Sequence, residues 1–452
     1  MPCSATLAKL AEIIAAKPIN LSEAATLAIA SITTDTRNIN PGDVFVALRG
    51  ENFDGHEFVI EAIAKGAIAA IVTQDFASTD VPVLQVKDTL QAYQQIAKWW
   101  RKQFSIPVIG VTGSVGKTTT KELIAAVLET QGKVLKTEGN YNNEIGVPKT
   151  LLELGYEHQF AVIEMAMRGT GEIALLTQIA IPTIGVITNV GTAHIGRLGS
   201  VDAIAKAKCE LLAEMPKSSI AILNADNKRL MTVSAQVWQG KTISYGLENG
   251  DLQGQLLDNE TISIKQTQLS LPLAGTHNAS NFLAAIAIAE ALNIDWALNA
   301  TNLTVNMPGG RSQRYELAGD IVILDETYNA GLESMIAALQ LLAQTPGNRR
   351  IAVLGSMKEL GDFSKEFHTQ VGAKVKELNL DALLILVDGA DAQAIADAAS
   401  PLAVECFTTP TDLVRRLGEF VQKGDRLLFK ASHSVGLDQV VSQFRTACNQ
   451  QL

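Results

Sequence analysis

The chain has 452 residues, of which 47% are hydrophobic and 19% are charged, so it has a globular composition and enough length for two to four domains. Its net charge of −10 argues against a nucleic-acid partner, because a broad surface for nucleic acid carries clusters of Lys and Arg. The cysteines are scattered without a CxxC pair, which predicts reduced, buried thiols rather than a disulfide or zinc framework. They are Cys3, Cys209, Cys406 and Cys448.

The N-terminal stretch MPCSATLAKLAEIIAAKP is amphipathic and lacks the long apolar core of a secretory signal. No apolar run elsewhere in the sequence approaches the roughly 20 residues that a membrane-spanning helix needs. We therefore expect a cytoplasmic protein without membrane insertion.

Residues 1–85 predict a small N-terminal α/β domain. Turn signals at 41–42 and 54–55 bracket a strand at Val44–Leu48. The segment DTLQAYQQIAKWWRKQF at 88–104 has helical spacing, and we expect this helix to connect the first domain to the next one.

Residues 86–310 predict a central domain built on a parallel sheet. Near-continuous apolar strands separated by helices indicate a sheet that is covered on both faces. Residues 241–273 are richer in Thr, Gln and Gly, which indicates an antiparallel addition. The parallel strands are expected at Ile106–Val111, Ala161–Met165, Ile184–Thr188 and Ile220–Leu223.

After Pro308-Gly309-Gly310 the alternation of strands and helices begins again, which predicts a doubly wound, Rossmann-like domain at 311–452. The chain is therefore expected to be an α/β protein with three domains. The strands of this last domain are expected at Ile321–Leu324, Ile351–Leu354, Leu383–Val387 and Leu427–Phe429.

The stretch VIGVTGSVGKTTTKELIAAVL at 108–128 predicts a strand, a glycine-rich bend and a helix. It departs from the usual phosphate-loop spacing, because Val111 stands five residues before Gly116, where the template has glycine. Backbone amides in such a bend and the helix N-terminus favour a phosphate, with Lys117 on the terminal phosphates and Thr118 on a magnesium ion. An ordinary glycine turn with an incidental lysine is the alternative.

Polar residues within or after predicted strands are further candidates. Glu164 interrupts an apolar run, so it either needs a cation or hydrogen-bond partner or lies at the exposed end of its strand. His194 follows a strand at the edge where α/β sheets bind ligands, although a lone histidine in a loop is usually just solvated. Lys206 and Lys208 share a helix, and two such lysines are normally surface charges.

Four more residues lie near predicted element ends or the predicted domain boundary. Asn278 and Asn281 begin a helix, where asparagine is also a good N-cap. Arg311 follows the predicted domain boundary, from which an arginine can reach a transferring phosphate. Asp325 ends a strand, again at the ligand-binding edge.

Taken together, these segments resemble the ATP-dependent Mur ligases of peptidoglycan synthesis over essentially the whole chain. Within that family, ETYNA, ESM and ELGDFSKEFHTQVG look most like the ligase that joins D-alanyl-D-alanine to UDP-N-acetylmuramoyl-tripeptide. The resemblance implies a monomer that transfers the γ-phosphoryl group of ATP to a carboxylate, so that the amine can displace an acyl phosphate. The segments are TDTRNINPGDVFVALRGENFDGHEF, GVTGSVGKTTTKE, TEGNYNNEIGVP, IEMAMRGTGEI, TNVGTAHIGRLGS, AKAKCELL, GTHNASNFLAA and LDETYNA.

The resemblance also implies roles for individual residues. The three domains would bind the UDP-sugar, ATP, and part of the nucleotide, in chain order. Two magnesium ions are implied, and Lys208 matches a lysine that is carbamylated in related ligases. The implied ATP-binding residues are Gly113, Ser114, Val115, Gly116, Lys117, Thr118, Thr119, Asn278, Asn281, Arg311 and Asp325. The implied metal-binding residues are Thr118, Glu164, His194 and Lys208, and the implied substrate-binding residues are Thr36, Arg37, Asn52, Asn140 and Asn143.

Two alternatives remain at this point. The first is another amide ligase of the same superfamily, although the Asp-Asn-Pro-Arg motif of the diaminopimelate-adding ligase is absent. A folylpolyglutamate synthetase would not be expected to open with the unit at 31–58. The second is a switch that hydrolyses ATP to change partners, which would need neither ligase substrate.

Overall fold

The structure, a computed structural model, describes residues 5–21, 26–77, 80–300 and 303–450. In these residues three separate sheets follow one another along the chain, with a two-stranded hairpin beside the first. The sheets combine parallel strands with helices that pack on them, so the predicted α/β fold class is confirmed. No helix in the described ranges is both long and apolar enough to cross a membrane.

The N-terminal sheet has five strands, and the predicted strand at 44–48 lies next to the edge strand of this sheet, shortened by two residues. Its neighbouring strands pair in parallel, except for the first strand at one edge, which runs antiparallel. The strands are β1 Lys17–Ile19, β2 Ile32–Thr33, β3 Val44–Val46, β6 Ala69–Thr73 and β7 Val83–Val86, in the order β1-β7-β6-β3-β2, and the hairpin is β4 Arg49–Gly50 with β5 Phe53–Asp54. The helices are α1 Leu7–Ile13 and α2 Val59–Ala64, with 3-10 turns at Thr36–Asn38 and Gly55–Phe58.

The predicted connecting helix is α3, Thr89–Arg101, which begins where the Asp88 side chain accepts a hydrogen bond from the Gln91 amide (2.9 Å). Carboxylates at this position satisfy the free amides of the first helical turn. The indole of Trp100 is buried and donates to the Leu154 carbonyl (3.0 Å). The helix is therefore held mainly by the central part of the chain.

The central sheet has nine strands in the order β16-β15-β14-β13-β12-β11-β8-β10-β9. The antiparallel addition predicted at 241–273 begins only at the pairing of β14 with β15, because β13 and β14 still extend the sheet in parallel. The strands are β8 Val108–Thr112, β9 Val134–Lys136, β10 Phe160–Glu164, β11 Ile184–Ile187, β12 Ile220–Asn224, β13 Lys241–Gly246, β14 Leu252–Leu256, β15 Thr261–Ile264 and β16 Thr267–Ser270. The helices are α4 Lys117–Glu129, α5 Gly146–Leu152, α6 Glu172–Ala180, α7 Ile195–Leu198, α8 Val201–Glu214, α9 Lys228–Val237, α10 Thr276–Ala291 and α11 Trp296–Asn299.

Helices cover both faces of this sheet. The apolar side chains of α4 and α10 share one core with Ile109 and Val111 of β8, whereas those of α5, α6 and α8 share another core with Val108. Every residue of β8 is buried, as expected for a central parallel strand. The carboxyl ends of β8, β10 and β11 therefore meet at one edge of the sheet, where Val111 pairs with Glu164 and Thr112 with Ile187.

The C-terminal sheet has six strands in the order β17-β18-β22-β19-β20-β21, and only the β17–β18 pair is antiparallel. Helices α12 to α14 pack on one face and α15 and α16 on the other, which is the predicted doubly wound arrangement. The strands are β17 Gln313–Leu317, β18 Ile321–Asp325, β19 Arg349–Leu354, β20 Ala382–Leu386, β21 Val404–Phe407 and β22 Asp425–Lys430. The helices are α12 Leu332–Gln344, α13 Ser364–Glu377, α14 Ala390–Ala399, α15 Pro410–Phe420 and α16 Leu437–Gln450, with 3-10 turns at Gly361–Phe363 and His433–Val435.

The prediction of buried thiols holds for Cys209 but is wrong for Cys406. Cys406 lies on β21, an edge strand of the C-terminal sheet, so its side chain is exposed. Cys448 is partly buried, and Cys3 lies outside the described residues. The three described cysteines are free thiols, in agreement with the expectation of no disulfide framework.

Candidate active site

The glycine-rich bend at Gly113–Gly116 connects the end of β8 to the start of α4. Gly116 has φ +80, a left-handed conformation that costs other residues about 1–2 kcal/mol. The Lys117 ammonium lies against the bend and donates to the Gly113 carbonyl (2.9 Å). A strand, a bend and a helix N-terminus therefore form the expected concave set of backbone groups with a lysine beside it.

The residues after β11 hold this bend in place. The Thr188 hydroxyl donates to the Val115 carbonyl (2.7 Å), and the Val115 amide donates to the side-chain oxygen of Asn189 (3.1 Å). The hydroxyl of Ser114 accepts from the Gly191 amide (2.9 Å). The bend is thus fixed by the loop that carries His194 rather than by its own hydrogen bonds alone.

Helix α10 touches the bend through Asn281. A Cβ atom on Gly116 would lie 2.6 Å from the Asn281 Oδ1 atom, and the same oxygen accepts from the Thr120 hydroxyl (3.2 Å). Asn278, one turn earlier, is also buried, and its Oδ1 has no hydrogen-bond partner in the described part of the chain. The N-cap of α10 is Gly275, so the capping alternative does not account for either asparagine.

Glu164 is buried at the end of β10, with only 1% of its surface exposed, so the alternative of an exposed strand end is excluded. Its Oε1 atom accepts from the side-chain amide of Asn142 (2.8 Å). Its Oε2 atom is buried and lacks a hydrogen-bond partner among the described residues. A buried carboxylate oxygen without a partner is costly, and this oxygen is therefore a candidate cation ligand.

A buried ion-pair cluster on α4 supports the backbone of Glu164. The Glu164 amide donates to the Thr137 hydroxyl (2.9 Å), and the Lys121 ammonium donates to the Thr137 carbonyl (2.5 Å). Glu122 lies between Lys121 (2.9 Å) and Lys136 (2.6 Å). The polar cluster thus joins the helix after the bend to the strand end that carries the carboxylate.

Lys206 and Lys208 differ completely in environment although they share α8. Lys206 is exposed, whereas only 1% of the surface of Lys208 is exposed. No hydrogen bond or ion pair of the Lys208 ammonium is found within the described ranges. Burial, and then the nearby charge of Lys117, hold the pKa of Lys208 well below its usual value, which favours the neutral amine.

His194 lies between α7 and the C-terminal sheet. Its Nδ1 atom is 2.6 Å from the Oε2 atom of Glu359, and its own backbone is left-handed (φ +67). Burial lowers the pKa of His194, and the positive charge of Lys117 lowers it further. His194 is therefore engaged by a partner from the loop after β19 in the C-terminal domain rather than solvated in its own loop.

Charged groups from the central and C-terminal parts of the chain converge on Lys117. Burial lowers the pKa of Lys117, Glu164 opposes that shift, and the positive charge of Arg311 adds to it. The Lys117 charge in turn acts on His194 and Lys208. The structure thus brings together, within electrostatic range, five of the residues selected from the sequence.

The C-terminal part of the site lies at the start of β17 and the end of β18. The guanidinium of Arg311 stacks on the Tyr328 ring (3.6 Å to its centre), and Asp325 accepts from the Thr327 hydroxyl (2.6 Å). Burial raises the pKa of Asp325, although the bonds from Thr327 oppose that shift. Asp325, Tyr328, Asp438 and other residues line a cavity of about 300 Å³.

The candidate substrate-binding residues are more dispersed. Arg37 is 84% exposed and pairs with Asp35, whose pKa this guanidinium lowers to about 2, and Arg37 also lies within electrostatic range of Tyr141. Asn140 and Asn143 flank that tyrosine in the sequence and are exposed, although the Asn143 side chain also accepts from the Gly146 amide at the start of α5 (2.9 Å).

Two further candidate substrate-binding residues belong to the N-terminal part. The Thr36 carbonyl accepts from the Lys65 ammonium (3.0 Å). Asn52 is exposed in the turn between β4 and β5, and no contact described here joins it to the other candidates. The structure therefore does not bring Asn52 together with them.

Sequence reasoning missed three residues that lie against the site. Asn142 binds Glu164 (2.8 Å), and Glu359 binds His194 (2.6 Å). Lys430, buried at the end of β22, donates to the Asn329 carbonyl (3.1 Å). Asn142 stands between the two selected asparagines, so its segment was already marked, and Lys430 ends a strand as Asp325 does. Glu359 is the first residue of the segment ELGDFSKEFHTQVG, so its segment was also marked, but nothing local indicated its contact with His194.

Three protein-family models match the chain. The Mur ligase family catalytic domain matches residues 28–101, the Mur ligase middle domain matches residues 111–289, and the Mur ligase glutamate ligase domain matches residues 310–433. The UDP-N-acetylmuramoyl-tripeptide–D-alanyl-D-alanine ligase of Synechocystis sp. is 59% identical over 94% of this chain and 93% of its own length. The chain belongs to the Mur ligase family. The Mur ligase of the same name from Escherichia coli is 37% identical over 97% of this chain and 98% of its own length.

Solved structures of Mur ligases have the same fold. MurF from Acinetobacter baumannii superposes with a TM-score of 0.88 at 32% identity, covering 98% of both chains. MurF ligase from Thermotoga maritima in complex with ADP superposes with a TM-score of 0.84 at 30% identity, covering 93% of this chain and 98% of that one. These matches extend over all three sheets, so the architecture of a three-domain Mur ligase applies to the whole chain.

Proposed function

We propose that this chain is an ATP-dependent ligase that joins D-alanyl-D-alanine to UDP-N-acetylmuramoyl-tripeptide in the cytoplasmic synthesis of peptidoglycan precursors. The observation that carries the chemistry is the convergence of Lys117 and Lys208 of the central domain and Arg311 of the C-terminal domain around one phosphate-type bend. The substrates follow from relatives of that name, one of them 59% identical over 94% of the chain. We further propose a monomer with domains at 1–85, 86–310 and 311–452.

The reaction needs an activated carboxylate, because a carboxylate does not condense with an amine in water unaided. A carboxylate oxygen of the tripeptide attacks the γ-phosphorus of ATP, the bond to the β-phosphate oxygen breaks, and ADP leaves with that electron pair. The amine of D-alanyl-D-alanine then attacks the acyl carbon, loses a proton and expels phosphate. The protein's task in both steps is to align the groups and to neutralise developing negative charge.

Lys117 and Arg311 are the groups we assign to that charge. Lys117 lies at the bend, within 2.9 Å of the Gly113 carbonyl, so its ammonium can exchange this contact for phosphate oxygens. Arg311 approaches from the C-terminal side and stacks on Tyr328, which limits its motion. The bend amides would hold the phosphates at the positive end of α4. The residues assigned to this cradle are Gly113, Ser114, Val115, Gly116, Lys117, Thr118 and Thr119.

The residues present suit magnesium. Glu164 offers a buried oxygen that has no hydrogen-bond partner in the described part of the chain. Thr118 is buried next to Lys117, and His194 lies within electrostatic range of Lys117. No cluster of three or more His, Cys, Asp or Glu side chains is close enough to hold a metal in the part of the chain described. Proteins usually bind magnesium through one or two carboxylates together with substrate phosphates, and Glu164 offers one such carboxylate at this site. Bound magnesium would neutralise charge on the phosphate oxygens.

Lys208 suits carbamylation because it is buried and has no hydrogen-bond or ion-pair partner among the described residues. Burial also lowers its pKa well below the usual value, which favours the neutral amine. Its neutral amine would add to carbon dioxide and release one proton, which converts a neutral group into an anion. As an ammonium it would repel bound magnesium, whereas as a carbamate it would support a second ion together with His194. We therefore propose the carbamate as its working form.

The remaining residues are assigned to the nucleotide base, the ribose side and the UDP-substrate. The Oδ1 atom of Asn278, which has no hydrogen-bond partner among the described residues, would be an acceptor for a base amino group, with Asn281 beside it. Asp325 would meet the nucleotide from the C-terminal domain. The UDP-substrate would bind near Arg37 and Tyr141, which lie within electrostatic range of each other. The assigned substrate residues are Thr36, Arg37, Asn52, Asn140 and Asn143.

Phosphate release separates this proposal from its alternatives. The purified chain is incubated with ATP and magnesium, with each substrate alone, and with both together. We expect phosphate and a new UDP-linked product only when UDP-N-acetylmuramoyl-tripeptide and D-alanyl-D-alanine are both present. Phosphate release without either substrate would indicate an ATPase switch, and product formation with a different amine or acceptor would indicate another ligase of the superfamily.

A further inference from the structure

Two glutamates of the C-terminal domain hold the central-domain loop at Gly191–Arg197. Glu333, in the first turn of α12, accepts from the Thr192 amide (2.7 Å) and from the Thr192 hydroxyl (3.0 Å). Glu359, in the segment after β19, binds His194. The loop is therefore attached to the C-terminal domain at both of its ends.

The contact made by Glu359 involves main chain as well as side chain. Its carboxylate meets Nδ1 of His194 (2.6 Å) and Nη2 of Arg197 (3.3 Å), and its carbonyl accepts from the Gly196 amide (3.2 Å). A Cβ atom on Gly196 would lie 2.6 Å from the Gly361 amide nitrogen, so the two segments lie too close together to leave room for a side chain at position 196. Glu359 itself has φ +63, a strained conformation that the surrounding contacts must maintain.

This contact determines which ring nitrogen of His194 carries the proton. An ionised carboxylate can only accept, so the proton must be on Nδ1 and the lone pair on Nε2. No hydrogen bond to Nε2 is found among the described residues. Histidines that bind metals usually donate their other ring N–H to a carboxylate or carbonyl, which fixes both the tautomer and the ring plane.

We propose that Glu359 is a positioning residue that orients His194 for magnesium, and that the cation site is complete only when the C-terminal domain is docked. The inference rests on the proposed role of His194 as a magnesium ligand. Glu333 docks the same loop but does not touch the imidazole, so it contributes to docking alone. Domain docking and cation binding are thereby coupled through one cross-domain hydrogen bond.

The test measures cation binding directly, with Mn²⁺ as the probe in electron paramagnetic resonance titrations of the full chain with a non-hydrolysable ATP analogue. Glu359→Ala should weaken Mn²⁺ binding about 10- to 100-fold, as other losses of such carboxylates do. Glu359→Gln keeps an acceptor oxygen and should restore part of the affinity. Glu333→Ala is the matched control, because it removes a docking contact of the same kind and should change the affinity much less.

Equal losses of Mn²⁺ affinity in Glu359→Ala and Glu333→Ala would overturn the proposal, because domain docking alone would then explain the effect. Unchanged Mn²⁺ affinity in Glu359→Ala would also overturn it. If Glu359→Ala does not fold, the Mn²⁺ affinity of Glu359→Gln is measured instead. A wild-type Mn²⁺ affinity in that variant would overturn the proposal. His194→Ala tests the premise. Normal Mn²⁺ binding in that variant would remove both the ligand role and this inference, while substrate-dependent phosphate release would still report the ligase function separately.

Discussion

Gly116→Ala should destabilise the phosphate bend by about 2–3 kcal/mol. The left-handed backbone of Gly116 (φ +80) costs an alanine about 1–2 kcal/mol. The new methyl group would also lie 2.6 Å from the Asn281 Oδ1 atom and would displace it from the Thr120 hydroxyl, with the loss of a hydrogen bond that contributes about 1 kcal/mol. The variant should therefore alter both the bend and the asparagine assigned to the base.

Native-state hydrogen exchange of the α4 amides measures the local opening free energy, and titration with an ATP analogue measures the affinity. Gly418→Ala is the control, because Gly418 lies inside α15 with nothing within 4 Å of a new Cβ atom. The free energy of unfolding of that variant should rise by roughly 0.5–1 kcal/mol, and its nucleotide affinity should not change. Adding Asn281→Ala to Gly116→Ala should relieve the collision but not the backbone cost.

The reasoning fails if Gly116→Ala leaves both the exchange of α4 and the nucleotide affinity unchanged. It also fails in part if the loss of opening free energy in the double variant equals the sum of the losses in the two single variants. The collision with Asn281 would then contribute nothing.

The other predictions concern catalysis, stability and domain motion. Lys117→Ala should lower turnover at least about 100-fold, corresponding to roughly 3 kcal/mol, with an unchanged circular dichroism spectrum, and near-normal turnover would refute the assignment of the bend. Lys208→Ala should be nearly inactive, and a small carboxylic acid in the assay buffer should restore part of its activity. Replacement of the exposed Lys206 by alanine should lower activity only slightly. The reverse order of activities would show that the wrong lysine of the AKAKCELL motif was assigned. Glu122→Ala should cost about 3–5 kcal/mol in denaturant unfolding, because Lys121 would remain a buried cation without its carboxylate, and a loss below about 1 kcal/mol would contradict this. Small-angle scattering should give a smaller radius of gyration with both ligands bound, and identical curves would favour a site already assembled in the free protein.

The central strands could be predicted because a parallel strand buried on both faces needs a continuous apolar run. Strands β8, β10, β11 and β12 all begin or end within two residues of their predicted bounds. Strands without such a run escaped prediction. Edge strand β17 alternates exposed and partly buried residues, and β9 has only three residues.

The site divides in the same way. The bend before Lys117 was predictable because its glycines and its place between strand and helix are local features. The burial of Lys208 and the exposure of Lys206 were not, since both belong to one helix and only the packing of α8 distinguishes them. The pairing of His194 with Glu359 joins positions 165 residues apart, and a single sequence carries no record of such a contact.

The two glycines before Arg311 differ in how closely the surrounding residues pack against them. The Gly310 carbonyl accepts from the Tyr328 amide (2.9 Å), and a Cβ atom on Gly310 would lie 2.8 Å from that nitrogen, whereas nothing lies within 4 Å of Gly309. A pivot in this segment would therefore fall before Gly310, and Arg311 would move together with the C-terminal domain while stacked on Tyr328. Changes in the length of the linker before Gly309 would then alter how readily the C-terminal domain closes. They would not alter the orientation of the Arg311 guanidinium relative to that domain.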